Sequence, residues 1–280
     1  MKNRLFISLL PLETERLIIR KTSIEDIELL LKMDKQKETQ KFLGGIKNKS
    51  REDRLAFLKK REKKFTKGKA SSLTVCLKDG TQIGFTQLDI DENNNSACIR
   101  FIYDLDYCNK GYCTEACKKL LEIGFKKLEL NRIYAETIDG NISSERVLEK
   151  LGFQLECVRR KAAYMKNVNE YKNMLDYSIL SSEYENQKYD KHGKTALALS
   201  FVSIIVVLLA FAISGGSFSS NDRGIIWLFV VGYYIFLGIP ILIASIILGS
   251  KGLKSNNPEP AYLSFVVNVA KVIFYVLWLY

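Results

Sequence analysis

Three long apolar runs near the carboxyl end most constrain what this chain can fold into. Residues 195–213 and 225–248 carry no charged side chain over 19 and 24 residues, and residues 261–280 carry only Lys271 in 20 residues. About 20 helical residues, rising about 1.5 Å each, cross a hydrocarbon core about 30 Å thick. The runs predict transmembrane helices at about 195–213, 225–248 and 261–280; the alternative is buried core helices of a soluble domain.

The remainder of the chain has a different composition, which predicts two domains. Of 42 basic and 31 acidic side chains in 280 residues, only six basic and two acidic ones follow residue 190. Residues 1–190 therefore hold 36 basic and 29 acidic groups, a net charge of +7. We expect a first domain at 1–186 and an all-α transmembrane domain at 187–280.

The basic residues around the apolar runs predict how the chain lies in a membrane. Arg223 is the only basic residue between the first two runs. Three lysines precede the first run, Lys188, Lys191 and Lys194, and two separate the second from the third, Lys251 and Lys254. Loops that are rich in lysine and arginine usually remain on the cytoplasmic side of a membrane. The chain is therefore expected to be a multi-pass protein of the cell membrane, with its first domain in the cytoplasm and its carboxyl terminus outside.

The third apolar run has a polar stripe. Ser264, Asn268 and Lys271 share one helix face, and a charge within a span costs about 2.5–3.5 kcal/mol. We expect the stripe to pack against the other spans, at small positions such as Ser245 and Gly249. The alternative hypothesis is that it forms a site for a partner or a lipid.

The first domain mixes strand and helix patterns. Strands are expected at 5–10, 15–20, 73–77, 82–90, 97–103, 133–138, 153–158 and 172–180, with helices from Ser23 and at 51–65, 112–128 and 143–151. Asp79 and Gly80 predict a hairpin between two of the strands. A meander followed by alternating strands and helices predicts an α+β fold, with helices flanking a mixed, mostly antiparallel sheet.

Residues 107–117, YCNKGYCTEAC, mark the junction between a strand and a helix. The first helical amides there have no partners within the helix, and Gly111 lets a ligand approach the backbone, so the junction can hold a phosphate. The sequence contains neither GxxxxGK[ST] nor GxGxxG at this place. A plain strand-to-helix turn is the alternative.

The same stretch holds three of six cysteines, so a metal site must be weighed. Cys113 and Cys117 could share a helix face, but His192 is the only histidine and no CxxC occurs. Zinc usually takes four such ligands, whereas buried cysteines act as small apolar groups. No metal is expected.

Three blocks resemble the GNAT superfamily of acetyl-CoA-dependent N-acetyltransferases, in the branch similar to ribosomal-protein alanine N-acetyltransferases. They are LETERLIIRKTSIEDIELLL at 12–31, DLDYCNKGYCTEACKKLLEIGF at 104–125, and NRIYAETIDGNISSERVLEKLGF at 131–153. The resemblance covers roughly residues 10–184. It implies the GNAT fold and acetyl-CoA as co-substrate.

By this resemblance, backbone amides after the strand would cradle the CoA pyrophosphate, namely those of Asn109, Lys110, Gly111, Tyr112, Cys113 and Thr114. Cys108 and Cys113 depart from the family pattern and could weaken a cradle made of amides. Asn141 and Ser144 match positions that meet the pantetheine arm and the CoA sulfur. An equal alternative for Asn141 is a helix cap.

The implied chemistry is attack of a neutral amine on a thioester, with an oxyanion stabilised by a backbone N–H. Ser144 is the candidate proton donor to the departing sulfur. Glu136 is the candidate base, directly or through water; an ordinary exposed strand carboxylate is the alternative.

The family acetylates protein N-termini, aminoglycosides, polyamines and amino acids, and the sequence selects none of them. A net charge of +7 on the first domain disfavours a highly cationic acceptor, and the basic helix 51–65 is either a solvated face or suited to the anionic headgroups of a lipid bilayer. No nucleic-acid partner is expected. Two rivals to a membrane-anchored N-acetyltransferase are a catalytically silent module that senses acyl-CoA or docks a partner, and a transport or signalling protein with a regulatory GNAT domain.

Overall fold

The computed structural model describes residues 1–42, 50–69, 72–186, 193–201, 239–253 and 258–279. The chain divides into two compact units, Met1–Ser181 and Ser182–Tyr280. The boundary expected after residue 186 remains a prediction.

The first unit alternates helices and strands as an α+β protein does. Its helices are α1 (Lys2–Ser8), α2 (Ile27–Asp34), α3 (Lys37–Lys41), α4 (Arg51–Thr66), α5 (Tyr112–Lys126) and α6 (Ile142–Lys150). Its strands are β1 (Leu12–Glu13), β2 (Leu17–Lys21), β3 (Ser72–Leu77), β4 (Gln82–Asp91), β5 (Ser96–Tyr103), β6 (Arg132–Ile138), β7 (Gln154–Met165) and β8 (Glu170–Leu180).

The eight strands form one sheet in the order β1-β2-β3-β4-β5-β6-β8-β7. Every neighbouring pair is antiparallel except β5 with β6, which is parallel. The expectation of a mixed, mostly antiparallel sheet is confirmed. The predicted hairpin also forms: Gly80 has φ 91°, and Asp79 accepts a hydrogen bond from Thr81 N at 2.9 Å.

Helix α5 packs its apolar side against the sheet. Ala116, Leu120, Leu121 and Phe125, which have helical spacing in the sequence, are all buried. Full burial of a leucine contributes about 1.5–3 kcal/mol. The helix that carries the glycine junction is therefore firmly fixed on the sheet.

The amino-terminal segment differs from the prediction. Residues 5–10 were expected to form a strand, but residues 2–8 form α1 and the first strand is only Leu12–Glu13. The helix buries Phe6 completely and leaves Leu5 44% exposed. The helix buries only one side of the apolar run, and the alternation used to predict a strand does not reveal this.

The second unit contains helical residues 193–201 and the helices Ile239–Gly252 and Glu259–Leu279. Ser200 Oγ lies 3.0 Å from Ser264 Oγ, and Asn268 Nδ2 donates to Ser245 Oγ at 2.6 Å. These four residues are buried, so the packing predicted for Ser264 and Asn268 is observed. The Lys271 side chain lies outside the description.

Among the described residues, no helix is both long enough and apolar enough to cross a membrane. The predicted transmembrane domain is therefore not supported by the part of the chain that the structure describes. Residues 202–213 and 225–238, which belong to the first two predicted spans, lie outside that part.

Candidate functional site

The two parallel strands separate along their length. Their pairing covers only Ser96–Cys98 with Arg132–Tyr134, although β5 continues to Tyr103 and β6 to Ile138. Each strand remains paired on its other edge, β5 with β4 and β6 with β8. Backbone groups that face the opening are thus available to hydrogen-bond a ligand. An N–H there can stabilise a developing oxyanion.

Helix α5 begins at the end of the opening that follows β5. Gly111 is the N-cap residue of α5, with φ 81°, and it has no side chain to cap the helix. By contrast, the side chains of Ser50 and Asn141 cap α4 and α6. The amides of Tyr112, Cys113 and Thr114 precede the first internal bond, from Glu115 N to the Gly111 carbonyl at 3.0 Å. With the macrodipole, these amides form an anion-binding end.

Gly111 keeps the approach to these amides open. A Cβ on this residue would lie 3.4 Å from Arg16 Nη2, and its left-handed backbone would be strained for any other residue. Asn109 also has a positive φ, of 59°. The loop before α5 is therefore tightly bent around the space where an anion would lie.

Arg16, which the sequence analysis did not assign, lies beside this loop. Its Nη1 donates to the Lys110 carbonyl at 3.1 Å, and its guanidinium lies 4.6 Å from the ring centre of Tyr112. Its Nε donates to Glu115 at 2.7 Å, and Thr14 Oγ1 donates to Glu115 at 2.6 Å. Burial would raise the Glu115 pKa, but these bonds outweigh it and leave that pKa below its usual range.

A second unassigned network holds the start of the same loop. Asp104 is buried and accepts a hydrogen bond from Gln36 Nε2 at 2.7 Å. Lys32 Nζ lies 2.6 Å from both Asp104 and Asp106, whose hydrogen bonds raise the Lys32 pKa, Asp104 contributing most. Helix α2 thereby anchors the loop that leads to Gly111.

Cys108 in the loop and Cys113 in the first turn of α5 are both partly buried. Burial raises the pKa of Cys108, and burial together with Cys117 raises that of Cys113. Elevated pKa values disfavour the thiolate that binds metals. Among the described residues, no cluster of His, Cys, Asp or Glu could hold a metal ion.

Helix α6 brings the other predicted residues to the same end of the sheet. Asn141 Oδ1 accepts from Ser144 N at 3.3 Å, so Asn141 does cap the helix. Ser144 is partly exposed in the first turn. Contact of either residue with a pantetheine arm remains a prediction.

Glu136 lies on the opposite face of the sheet from α5. A Cβ on Gly124 of α5 would lie 2.6 Å from Ile133, so Ile133 faces α5, and strand alternation directs Glu136 away from it. Arg159 forms ion pairs with Glu136 and, at 2.7 Å, with Asp176. The site thus has two sides, with the helix ends on one and Glu136 on the other.

Comparison with known proteins gives a consistent assignment. The family model described as an acetyltransferase (GNAT) domain matches residues 16–154. The chain is 30% identical over 174 residues to the uncharacterized N-acetyltransferase YnaD of Bacillus subtilis, covering 61% of this chain and 97% of the relative.

Solved structures share the fold. A GNAT-family acetyltransferase from Bacillus anthracis has a TM-score of 0.55 at 28% identity, covering 61% of this chain and 98% of that chain. RimL, a ribosomal L7/L12 alpha-N-protein acetyltransferase in complex with coenzyme A, has a TM-score of 0.55 at 16% identity, with 61% and 97% covered. At that identity the second likeness shows the fold alone.

Proposed function

This chain belongs to the GNAT acetyltransferase family and is an acetyl-CoA-dependent N-acetyltransferase, and we propose that it acetylates one primary amine, on a protein N-terminus or a small molecule, while anchored to a membrane. The observation that carries the catalytic part is the β5–β6 opening flanked by the starts of α5 and α6.

The cradle fits the pyrophosphate of acetyl-CoA. A Cβ at Gly111 would enter the space beside Arg16, and α5 begins without a side-chain cap. The amides from Asn109 to Thr114 would hold the diphosphate, with Arg16 as an additional cation. Acetyl-CoA supplies the activated acetyl thioester.

Each catalytic candidate is assigned a separate task. A backbone N–H in the opening polarises the acetyl carbonyl. Ser144, on the side of α5, donates a proton to the departing sulfur and regains one from water. Glu136, on the other side, accepts the proton of the amine, and it must give up its ion pair with Arg159 to do so.

The charges around Glu136 favour an acceptor with a single amine. Arg159 holds Glu136 and Asp176, and Arg132 holds Glu156 at 2.5 Å. A polyamine needs several open carboxylates, and these three are occupied by guanidinium groups. With the net charge of +7 on residues 1–190, this disfavours polycations.

The acceptor class is tested with the purified full chain and labelled acetyl-CoA. We expect transfer to a peptide with a free α-amine and at least tenfold less to spermidine, since one unpaired ammonium contact costs about 1.4 kcal/mol or more. The same peptide with its N-terminus already acetylated is the matched control. Faster transfer to spermidine would reject the proposed class.

The membrane location rests on the sequence. The charge-free runs and the five lysines beside them favour a multi-pass anchor with the catalytic unit in the cytoplasm. Extraction of cell membranes with alkaline carbonate tests this. Retention in the membrane pellet supports the anchor, and release into the supernatant contradicts it.

A further inference from the structure

The second half of α4 and the turn after it carry six lysines. Among the described residues, none of the six lies in an ion pair: Lys59, Lys60, Lys63, Lys64, Lys67 and Lys69. All are exposed except Lys64, which is partly exposed. Glu62 is the only acidic residue between 59 and 69. We call these six lysines the α4 basic surface.

Two ion pairs lie in the first half of α4. Arg51 pairs with Glu28 at 2.7 Å, and the buried Arg54 pairs with Asp34. Arg51 and Arg54 therefore hold α4 to α2, whereas the lysines of its second half lie toward solvent. Like charges so close together repel one another unless an external anion neutralises them.

Arg4 of helix α1 and Lys21 of β2 extend the surface with two further cations. A Cβ on Gly68 would lie 3.3 Å from Arg4 Nε, so Arg4 lies against the end of α4. A cavity of about 570 Å³ is lined by Arg4, Lys21 and Lys67, with the hydroxyls of Ser8 and Thr66 and no carboxylate. Three cations around a concavity with no carboxylate suit a phosphate group.

Two features favour a lipid surface over a nucleic acid. Beside Arg4, Leu5 of helix α1 and Met1 just before the helix are exposed, 44% and 94% respectively. Apolar side chains among lysines are typical of a membrane interface. The aromatic rings of α4 offer no stacking platform for bases, because Arg61 lies 4.9 Å from the ring centre of Phe57 and Phe65 is buried.

We propose that the α4 basic surface docks the catalytic unit on an anionic bilayer, with the cavity beside Arg4 holding one lipid phosphate. The bilayer is the one invoked under the proposed function, but the docking rests only on the charges of the first unit. It would orient the catalytic unit toward acceptors at the membrane surface.

The test is hydrogen exchange of the full chain with vesicles of phosphatidylcholine, alone or with 30% phosphatidylglycerol. Protection of residues 59–69 is expected only with the anionic lipid, and it should fall about tenfold between 0.05 M and 0.5 M salt. The variant Lys60→Glu/Lys63→Glu/Lys67→Glu should lose the protection. The control Lys118→Glu/Lys127→Glu/Lys150→Glu makes the same charge change on and just after α5 and on α6 and should keep it.

The outcomes separate this docking from the anchor. Flotation of the chain with phosphatidylcholine alone reports the anchor, whereas the added protection of 59–69 by anionic lipid reports the docking. No such protection in the wild-type chain would show a merely solvated face and overturn the proposal. Protection by transfer RNA without protection by anionic vesicles would overturn it in favour of a nucleic acid.

Discussion

The carboxylate of Glu115, in the first turn of α5, is held by Arg16 from the β1–β2 turn, with Arg16 Nε 2.7 Å from Glu115 Oε2. The backbone N–H of Arg16 donates to the same carboxylate at 3.0 Å. The guanidinium continues to the Lys110 carbonyl. One arginine thus joins the edge of the sheet to the loop that would bind a diphosphate.

Arg16→Ala should weaken acetyl-CoA binding, because it removes a cation beside the cradle and unties the loop. We expect KM for acetyl-CoA to rise about tenfold, the equivalent of about 1.4 kcal/mol, with kcat within about twofold. Steady-state kinetics measure both. Arg51→Ala, which breaks an exposed ion pair on α4, is the matched control; an unchanged KM for Arg16→Ala would contradict the assignment.

Ser144→Ala should slow the chemical step without loosening the helix. Asn141 caps the helix by accepting a hydrogen bond from the backbone N–H of Ser144. The serine side chain takes no part in that bond, so the substitution leaves the cap in place. Loss of a general acid predicts a kcat about 100-fold lower at unchanged acetyl-CoA affinity. The neighbouring Ser143→Ala, on an exposed position, should behave as wild type. Equal rates for the two variants would remove Ser144 from the mechanism.

Glu136→Gln distinguishes a base from a structural carboxylate. If Glu136 is the base, its loss should lower kcat/KM about 100-fold. Asp176→Asn provides the control, because Asp176 shares Arg159 with Glu136. A similar small effect of both substitutions would mean that Glu136 only pairs with Arg159.

Glu156 should make the free energy of unfolding fall at acidic pH. Hydrogen bonds from Arg132 and then Ser178 lower its pKa to about 2. A carboxylate whose pKa is lowered on folding stabilises the folded state at pH values above its unfolded pKa of about 4.3. That stabilisation is lost as the pH falls toward the pKa of the folded state.

Urea unfolding of the wild-type chain and Glu156→Gln measures this effect. Because Glu156 is 40% exposed in its side chain, the free-energy difference at pH 7 should be no more than about 1 kcal/mol. It should shrink between about pH 4.3 and pH 2. Glu149→Gln, at an exposed position of α6, should show no such trend; a difference for Glu156 that is constant with pH would contradict the ion-pair explanation.

Much of the first unit could be predicted because its local patterns agree with its packing. The spacing of Leu120, Leu121 and Phe125 describes a buried helix face, and Gly80 can adopt the turn that its hairpin needs. The strand predicted at the start of the chain was wrong. One buried ring, Phe6, fixes a helix there that no short-range pattern indicates.

The site could be predicted only in part, for a different physical reason. Gly111, Asn141 and Ser144 lie at helix starts, which sequence patterns reveal. Arg16 and Glu115 are separated by 99 residues, and Arg159 and Glu136 by 23. Such pairings depend on the tertiary arrangement of the strands. Neither arginine was assigned for that reason, although Arg16 lies in the first of the three blocks that carry the resemblance.

The most direct test of the cradle is acetyl-CoA binding to the purified full chain by titration calorimetry. Gly111→Arg is compared with Gly80→Arg, since both glycines have positive φ, 81° and 91°, and only the first lies at α5. We predict micromolar binding by the wild-type chain and by Gly80→Arg, and none by Gly111→Arg. Undiminished binding by a folded Gly111→Arg variant would contradict the account.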